Sequence, residues 1–122
     1  MSVESSPAGK AAILDEIIHQ PTRLRIMTLL VSVPEPDQLA YGFIQQTLDL
    51  TGGNLTIHLR KLEASGYLAI TKEFRGAKPR TWVQATATGR RAYADYLSNL
   101  QKALGLRLPA ADVDDSSRQT GS

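Results

Sequence analysis

Cysteine is absent from this chain, and histidine occurs only at His19 and His58. Without thiols there is no disulfide framework, no thiolate metal site and no cysteine nucleophile. Two histidines so far apart in sequence form no cluster with ligand spacing, so no metal or other cofactor is expected. Aromatic residues are scarce, and no run approaches the roughly 20 apolar residues that a membrane-spanning helix requires. The opening MSVESSPAGK carries no apolar stretch of the kind that marks a secretory leader. The expectation is a soluble cytoplasmic protein. No grouping of nucleophile, base and orienting residue is visible, so an enzyme is not expected.

What the chain does have is an uneven distribution of charge. Its 122 residues suit one domain with a modest core, and the formal net charge is only +2. Between Asn54 and Arg91, however, eight basic residues (Arg60, Lys61, Lys72, Arg75, Lys78, Arg80, Arg90, Arg91) face two acids, Glu63 and Glu73. That segment is therefore +6 and the remainder −4. A polarised chain of this kind suits a polyanionic partner for one of its halves.

Hydrophobic periodicity divides the chain into short elements. Ile13, Leu14, Ile17 and Ile18 give a helical face over Ala8–His19. Gln20-Pro21 interrupts it, and Pro21 suits the first position of a second helix running to about Val31, with Leu24, Ile26, Leu29 and Leu30 inward. Pro34 and Pro36 force a loop, and Leu39-Ala40 can form a very short strand. Tyr41, Ile44 and Leu48 line a third helix, with Leu50 closing the turn behind it. Asp49 to Gly53 supplies the residues of a sharp reversal. YLAITKEF then alternates as a strand, RGAKPR makes a basic tip around Gly76 and Pro79, and TWVQATAT is a second β-prone run. Thr86 can cap a last helix, about Ala87–Leu104, along which Tyr93, Tyr96, Leu97, Leu100, Ala103 and Leu104 follow a heptad-like spacing. Residues 1–7 and those from Pro109 onward are small and polar, and 1–7 and 106–122 are expected to be disordered, which leaves one domain over 8–105.

The most informative stretch is TGGNLTIHLRKLEASG, residues 51–66. Leu55, Leu59 and Leu62 make one apolar stripe on a helix spanning Gly53 to Ser65, and Gly66 stands where a left-handed cap is wanted. The remaining faces carry Asn54, Thr56, Arg60 and Lys61, all able to donate hydrogen bonds to phosphates or base edges. With the preceding short helix this forms a helix-turn-helix, followed directly by a hairpin with a cationic tip.

In this order the elements resemble a winged-helix DNA-binding domain, and the residues resemble the small MarR/ArsR-like transcriptional regulators of bacteria and archaea. The resemblance is carried by HQPTRLRIMTLL (19–30), LTGGNLTIHLRKLEASGYL (50–68) and KEFRGAKPRTWVQATATGRRAYADYL (72–97). It implies a mainly α, α+β fold: a winged helix-turn-helix with a two-stranded β wing and terminal helices that pair in a homodimer. It also implies that two recognition helices read an operator built as an inverted repeat in double-stranded DNA, with repression the commoner mode. The family often places an acid where Gly52 stands, which leaves the capping here to Thr51. Many members have a small polar residue where Ile57 stands. An exposed Ile57 would meet a thymine methyl, and a tucked one would pack on the helix before it. Sensing of metals by cysteine, as in some relatives of the ArsR type, is excluded by composition.

The residues expected to contact DNA are therefore Thr51, Asn54, Thr56, Ile57, Arg60 and Lys61 on the recognition helix, with Arg75, Lys78 and Arg80 on the wing. His58 reads as a partly buried structural residue, His19 as a partner for carbonyls at its own helix end, and Trp82 as packing. The apolar surplus of the terminal helices places Ile13, Ile17, Ile18, Tyr93, Tyr96, Leu97 and Leu100 at a two-fold interface. The alternative is that both helices fold back on their own core. Tyrosines there leave room for a small-molecule effector. Two other functions fit the same residues: a winged helix that docks an acidic protein, and an architectural protein that binds DNA without sequence preference.

Overall fold

The computed structural model describes residues 14–105. The expected disorder of 1–7 and 106–122, the Ala8–Ile13 part of the first helix, and Ile13 as an interface residue all lie outside them. Within that range the order is α1 (Glu16–His19), α2 (Pro21–Val31), β1 (Leu39–Ala40), α3 (Tyr41–Leu48), α4 (Gly52–Ala64), β2 (Leu68–Arg75), β3 (Lys78–Ala85) and α5 (Ala87–Leu104). Leu14–Tyr96 forms one compact unit, and the end of α5 from Leu97 belongs to another.

Four of the five described helices start at a residue whose side chain caps them, and α3, which follows Ala40, is the exception. The Asp15 carboxylate accepts from the amides of Ile17 (2.8 Å) and Ile18 (3.2 Å), two donors with no partner inside a helix. Asp15 itself is extended, so the helix expected over Ala8–His19 is helical only from Glu16 among the described residues. Gln20 is extended, as a residue before proline tends to be, and its side chain accepts from Arg23 N at 2.9 Å. Pro21 occupies the first turn of α2, where its missing N–H costs nothing. Asp49 ends α3 in the left-handed region (φ 57°), and the turn closes with Leu50 N donating to Gln45 O at 3.1 Å.

The core lies where α2, α3 and α4 meet the root of the sheet, with Ile18 of α1 and Tyr96 of α5 added to it. Ile26, Met27 and Leu30 of α2, Ile44 and Leu48 of α3, and Leu55, Leu59 and Leu62 of α4 are buried together with Leu68, Val83 and Ala85. Each such side chain contributes about 1.5–3 kcal/mol relative to exposure. The expected inner face of α2 is corrected in one respect. Met27 is buried, while Leu24 and Leu29 stay half-exposed and line a shallow apolar groove with Thr28 and Leu48. An inward arc centred on Ile26, Met27 and Leu30 leaves residues 24 and 29 on its shoulders.

The short strand expected at Leu39-Ala40 forms, and it adds a third strand to the root of the wing expected to have two. β1 joins the far edge of β3 through Leu39↔Val83 and Ala40↔Trp82, giving an antiparallel sheet in the order β1-β3-β2. Beyond Trp82 only β2 and β3 remain paired, in a register that runs from Leu68↔Ala85 to Arg75↔Lys78. Pro79 is tolerated within β3 because β1 does not reach it, so no ladder bond is lost there on that side. Gly76 at the tip has φ 65°, a conformation that favours glycine.

Two interface expectations on the first and last helices are corrected by burial. Ile18 (0% exposed) and Tyr96 (2%) lie inside this chain's own core, so neither can face a second copy. Tyr96 is held there by its hydroxyl, 2.8 Å from His19 Nδ1. His19 thus finds a tyrosine on a distant helix, where carbonyls of its own helix end were expected. Ile17 and Tyr93 are half-buried, and Leu97 is 39% exposed.

Candidate DNA-binding face

α4 divides cleanly into two sides. Leu55, Leu59 and Leu62 are buried, while Asn54, Ile57, Arg60, Lys61 and Ala64 are exposed at three- and four-residue steps. Ile57 is 66% exposed, so it is not packed against α3 and sits at the centre of the outward row. Thr51 is the N-cap: its hydroxyl oxygen accepts from Asn54 N at 3.1 Å, which holds Asn54 in the first turn. That turn contains no acidic residue, so its free amides and the positive end of the helix dipole are not neutralised within the helix.

Thr56 behaves differently from its neighbours. Tyr41 donates its single hydroxyl proton to Gly52 O (2.8 Å), so the 2.8 Å contact between Tyr41 Oη and Thr56 Oγ1 must be donated by Thr56. Thr56 is half-buried in this network and can only accept from a ligand. The same two bonds tie the start of α3 to the start of α4 and fix the angle of the helix-turn-helix.

Between α4 and the wing lies an open groove of about 600 Å³. Tyr41, Thr56, Arg60 and Glu63 line one side, and Ile70, Lys72 and Thr81 the other. Because cross-strand partners share a face, Lys72↔Thr81 and Phe74↔Pro79 continue the inner face begun by Ile70↔Val83. Arg75, Lys78 and Arg80 therefore stand together on the outer face, with Glu73 directly opposite Arg80. All residues from 71 to 80 are exposed. Lys72 and Thr81, which line this groove, were not among the residues expected to contact DNA. The signal was the strand's alternation, which puts Lys72 in step with Ile70.

Not every cation is free to meet a ligand. Arg90 is turned inward: Nη2 donates to Val33 O at 2.7 Å, and Nε lies 3.8 Å from the Glu35 carboxylate. It secures the proline-containing loop and drops out of the basic surface counted from the sequence. Arg25 donates to Leu48 O at 2.8 Å. Arg23 Nε donates to Ile17 O (2.6 Å), and its Nη1 lies 3.2 Å from His58 Nδ1. Since a guanidinium only donates, His58 accepts through Nδ1 and is neutral. Burial and then the charge of Arg23 push its pKa below the usual 6.5. His58 is the partly buried structural histidine expected of it.

A helix-turn-helix with an outward polar row, followed by a basic antiparallel ribbon, defines a winged-helix fold. Residues 22–104 match the winged helix DNA-binding domain family, and the chain belongs to it. A solved structure of a transcriptional regulator homologue from Pyrococcus horikoshii is 33% identical, covers 79% of this chain and 92% of its own, and superposes with a TM-score of 0.68. A candidate transcriptional regulator of the MarR family from Enterococcus faecalis has the same fold at 24% identity, covering 97% of this chain and 96% of its own, with a TM-score of 0.61. An uncharacterised protein of Methanocaldococcus jannaschii is 29% identical over 82 residues, 67% of this chain and 86% of its own.

Proposed function

We propose that the chain is a sequence-specific regulator of transcription that binds double-stranded DNA without catalysing a reaction, and that represses by occupying promoter DNA. The observation that carries this reading is the exposed row Asn54, Ile57, Arg60 and Lys61 on α4, of which Arg60 lines the groove that Lys72 and Thr81 of the wing border on the other side. α4 enters the major groove, where Arg60 pairs with a guanine edge or a phosphate, Lys61 sits on the backbone and Ile57 meets a thymine methyl. Thr51, Asn54 and Thr56 accept or donate at the helix start, and Arg75, Lys78 and Arg80 neutralise phosphates beside it. The Pyrococcus relative, described as a transcriptional regulator homologue, supports the same role.

The regulator acts as a homodimer. With Ile18 and Tyr96 withdrawn into the core, the residues proposed for pairing are Ile13, Ile17, Tyr93, Leu97 and Leu100, the last three at steps of four and three along the sequence.

The test is selection of the purified protein on a random duplex library at low and at physiological salt. Enrichment of an inverted repeat with half-sites about 10 bp apart is the expected result. Retention with no enriched sequence, lost as salt rises, would replace this reading with an architectural one. Failure to retain any duplex at low salt would end it and turn the search towards acidic protein partners.

A further inference from the structure

Phe74 has no place in the contacts assigned above, yet it is the most exposed large apolar side chain of those described, at 68%. A phenylalanine left in water forgoes about 1.5–3 kcal/mol of burial. Single exposed apolar residues are ordinary on protein surfaces. The position of this one is not ordinary. Its cross-strand partner is Pro79, so the inner face of the ribbon ends in an apolar pair beyond the last core residue. Arg75, Lys78 and Arg80 occupy the outer face at the same height. The end of the wing is thus apolar on one side and cationic on the other.

That combination fits a surface in which negative charge borders an apolar floor. The minor groove of duplex DNA, about 6 Å wide between two rows of phosphates, is such a surface. The tip of an antiparallel ribbon, with its strands about 4.8 Å apart, can enter it end-on. We propose that Phe74 is a wedge. On the DNA-binding reading above, on which this rests, the wing tip enters the minor groove next to the α4 site. Phe74 there partly unstacks one base step and bends the duplex toward the major groove. Arg75, Lys78 and Arg80 hold the flanking phosphates, and Pro79 stiffens the strand that backs the wedge. Pyrimidine–purine steps unstack most readily, so the wing adds a preference for them at positions that α4 does not touch.

The experiment measures the bend and the affinity separately. A duplex carrying the selected repeat, or one of mixed sequence at low salt, is labelled at its ends with a fluorescence-transfer pair, and binding is followed by anisotropy. The full chain is expected to bend it by about 20–90°. Phe74→Ala should lose the bend and keep the salt dependence of binding. Phe74→Leu should keep most of the bend. Arg80→Ala should keep the bend and make the log–log salt slope shallower by about 0.9. Because Phe74 is exposed, these variants leave the core intact. Binding without a bend, or a bend that Phe74→Ala retains, would overturn the wedge and leave DNA binding standing. Absence of binding to any duplex would overturn both.

Discussion

Gly89 lies directly against the backbone of Tyr67: a Cβ at position 89 would overlap the Tyr67 carbonyl oxygen and come within 3.0 Å of its Cα. The contact joins the first turn of α5 to the root of β2. Thr86 completes the joint, donating to Gly66 O (2.7 Å) and accepting from Gly89 N (2.9 Å). In an ordinary helix, Gly→Ala is favourable by about 0.5–1 kcal/mol. Here Gly89→Ala should destabilise by about 1–3 kcal/mol, since the obstacle is backbone and cannot rotate aside. Thermal unfolding followed by circular dichroism checks this, and a midpoint equal to or above that of the unmodified chain would refute it.

Tyr41→Phe removes the hydroxyl that links Gly52 and Thr56. The expected loss is about 0.5–1.5 kcal/mol. Amide exchange in the first turn of α4 should quicken more than in α2, because the lost bonds lie there. Equal protection in both variants would mean that the link does not hold the helix start.

Glu73 opposes Arg80 across the ribbon and weakens the positive field of the wing. Glu73→Gln should therefore tighten DNA binding about two- to five-fold at low salt, corresponding to an exposed pair worth about 0.5–1 kcal/mol. The gain should fade as salt rises. Unchanged affinity at low salt would place Arg80 away from the DNA.

His58 and Tyr67 limit stability at opposite ends of the pH scale. The folded protein holds the His58 pKa below its ordinary 6.5, so the unfolded chain takes up the proton first. Stability is complete above that value and falls as pH drops below it. Replacing His58 with Gln should remove most of this acid slope between pH 6.5 and the lowered folded value. An unaltered slope in the variant would assign it to other groups.

The hydrogen bond from Tyr67 to Asp15, with burial and the charge of Asp15 behind it, pushes the phenol up to about 12 from the ordinary 10.0. The neutral form is the one the fold favours, so stability is full below 10.0 and declines as pH rises through about 12. In a near-ultraviolet titration a phenol should ionise near pH 12, and Tyr67→Phe should remove that step.

Much of this fold was legible in the chain because its punctuation is local. Pro21, Gly66, Gly76 and Thr86 each mark an element boundary through their own backbone or side-chain chemistry, and each stands where that chemistry places it. The recognition helix was readable from the steps of Leu55, Leu59 and Leu62. What escaped depends on partners distant in sequence. Arg90 counts as a surface cation until Val33 and Glu35 are brought beside it, and nothing near His19 points to Tyr96. Ile18 and Tyr96 are apolar at helical spacing, and that pattern is the same for a residue facing its own core or a second copy. Lys72 escaped for a different reason: alternation puts it in step with Ile70, but only the fold shows that this face of the strand borders the groove beside α4.

The three-stranded root of the wing has a mechanical consequence. β3 is paired on both sides at Trp82 and Val83 but on one side only from Thr81 outward. The ribbon is therefore a cantilever, clamped by β1 at the point where the chain turns into α3 and free from there to Gly76. Its outer half has few buried contacts and exposed backbone, the conditions under which a segment bends at little cost. The clamp keeps that compliance away from α4. On the proposed binding mode, the tip can follow a groove whose width varies from one sequence to another without tilting α4.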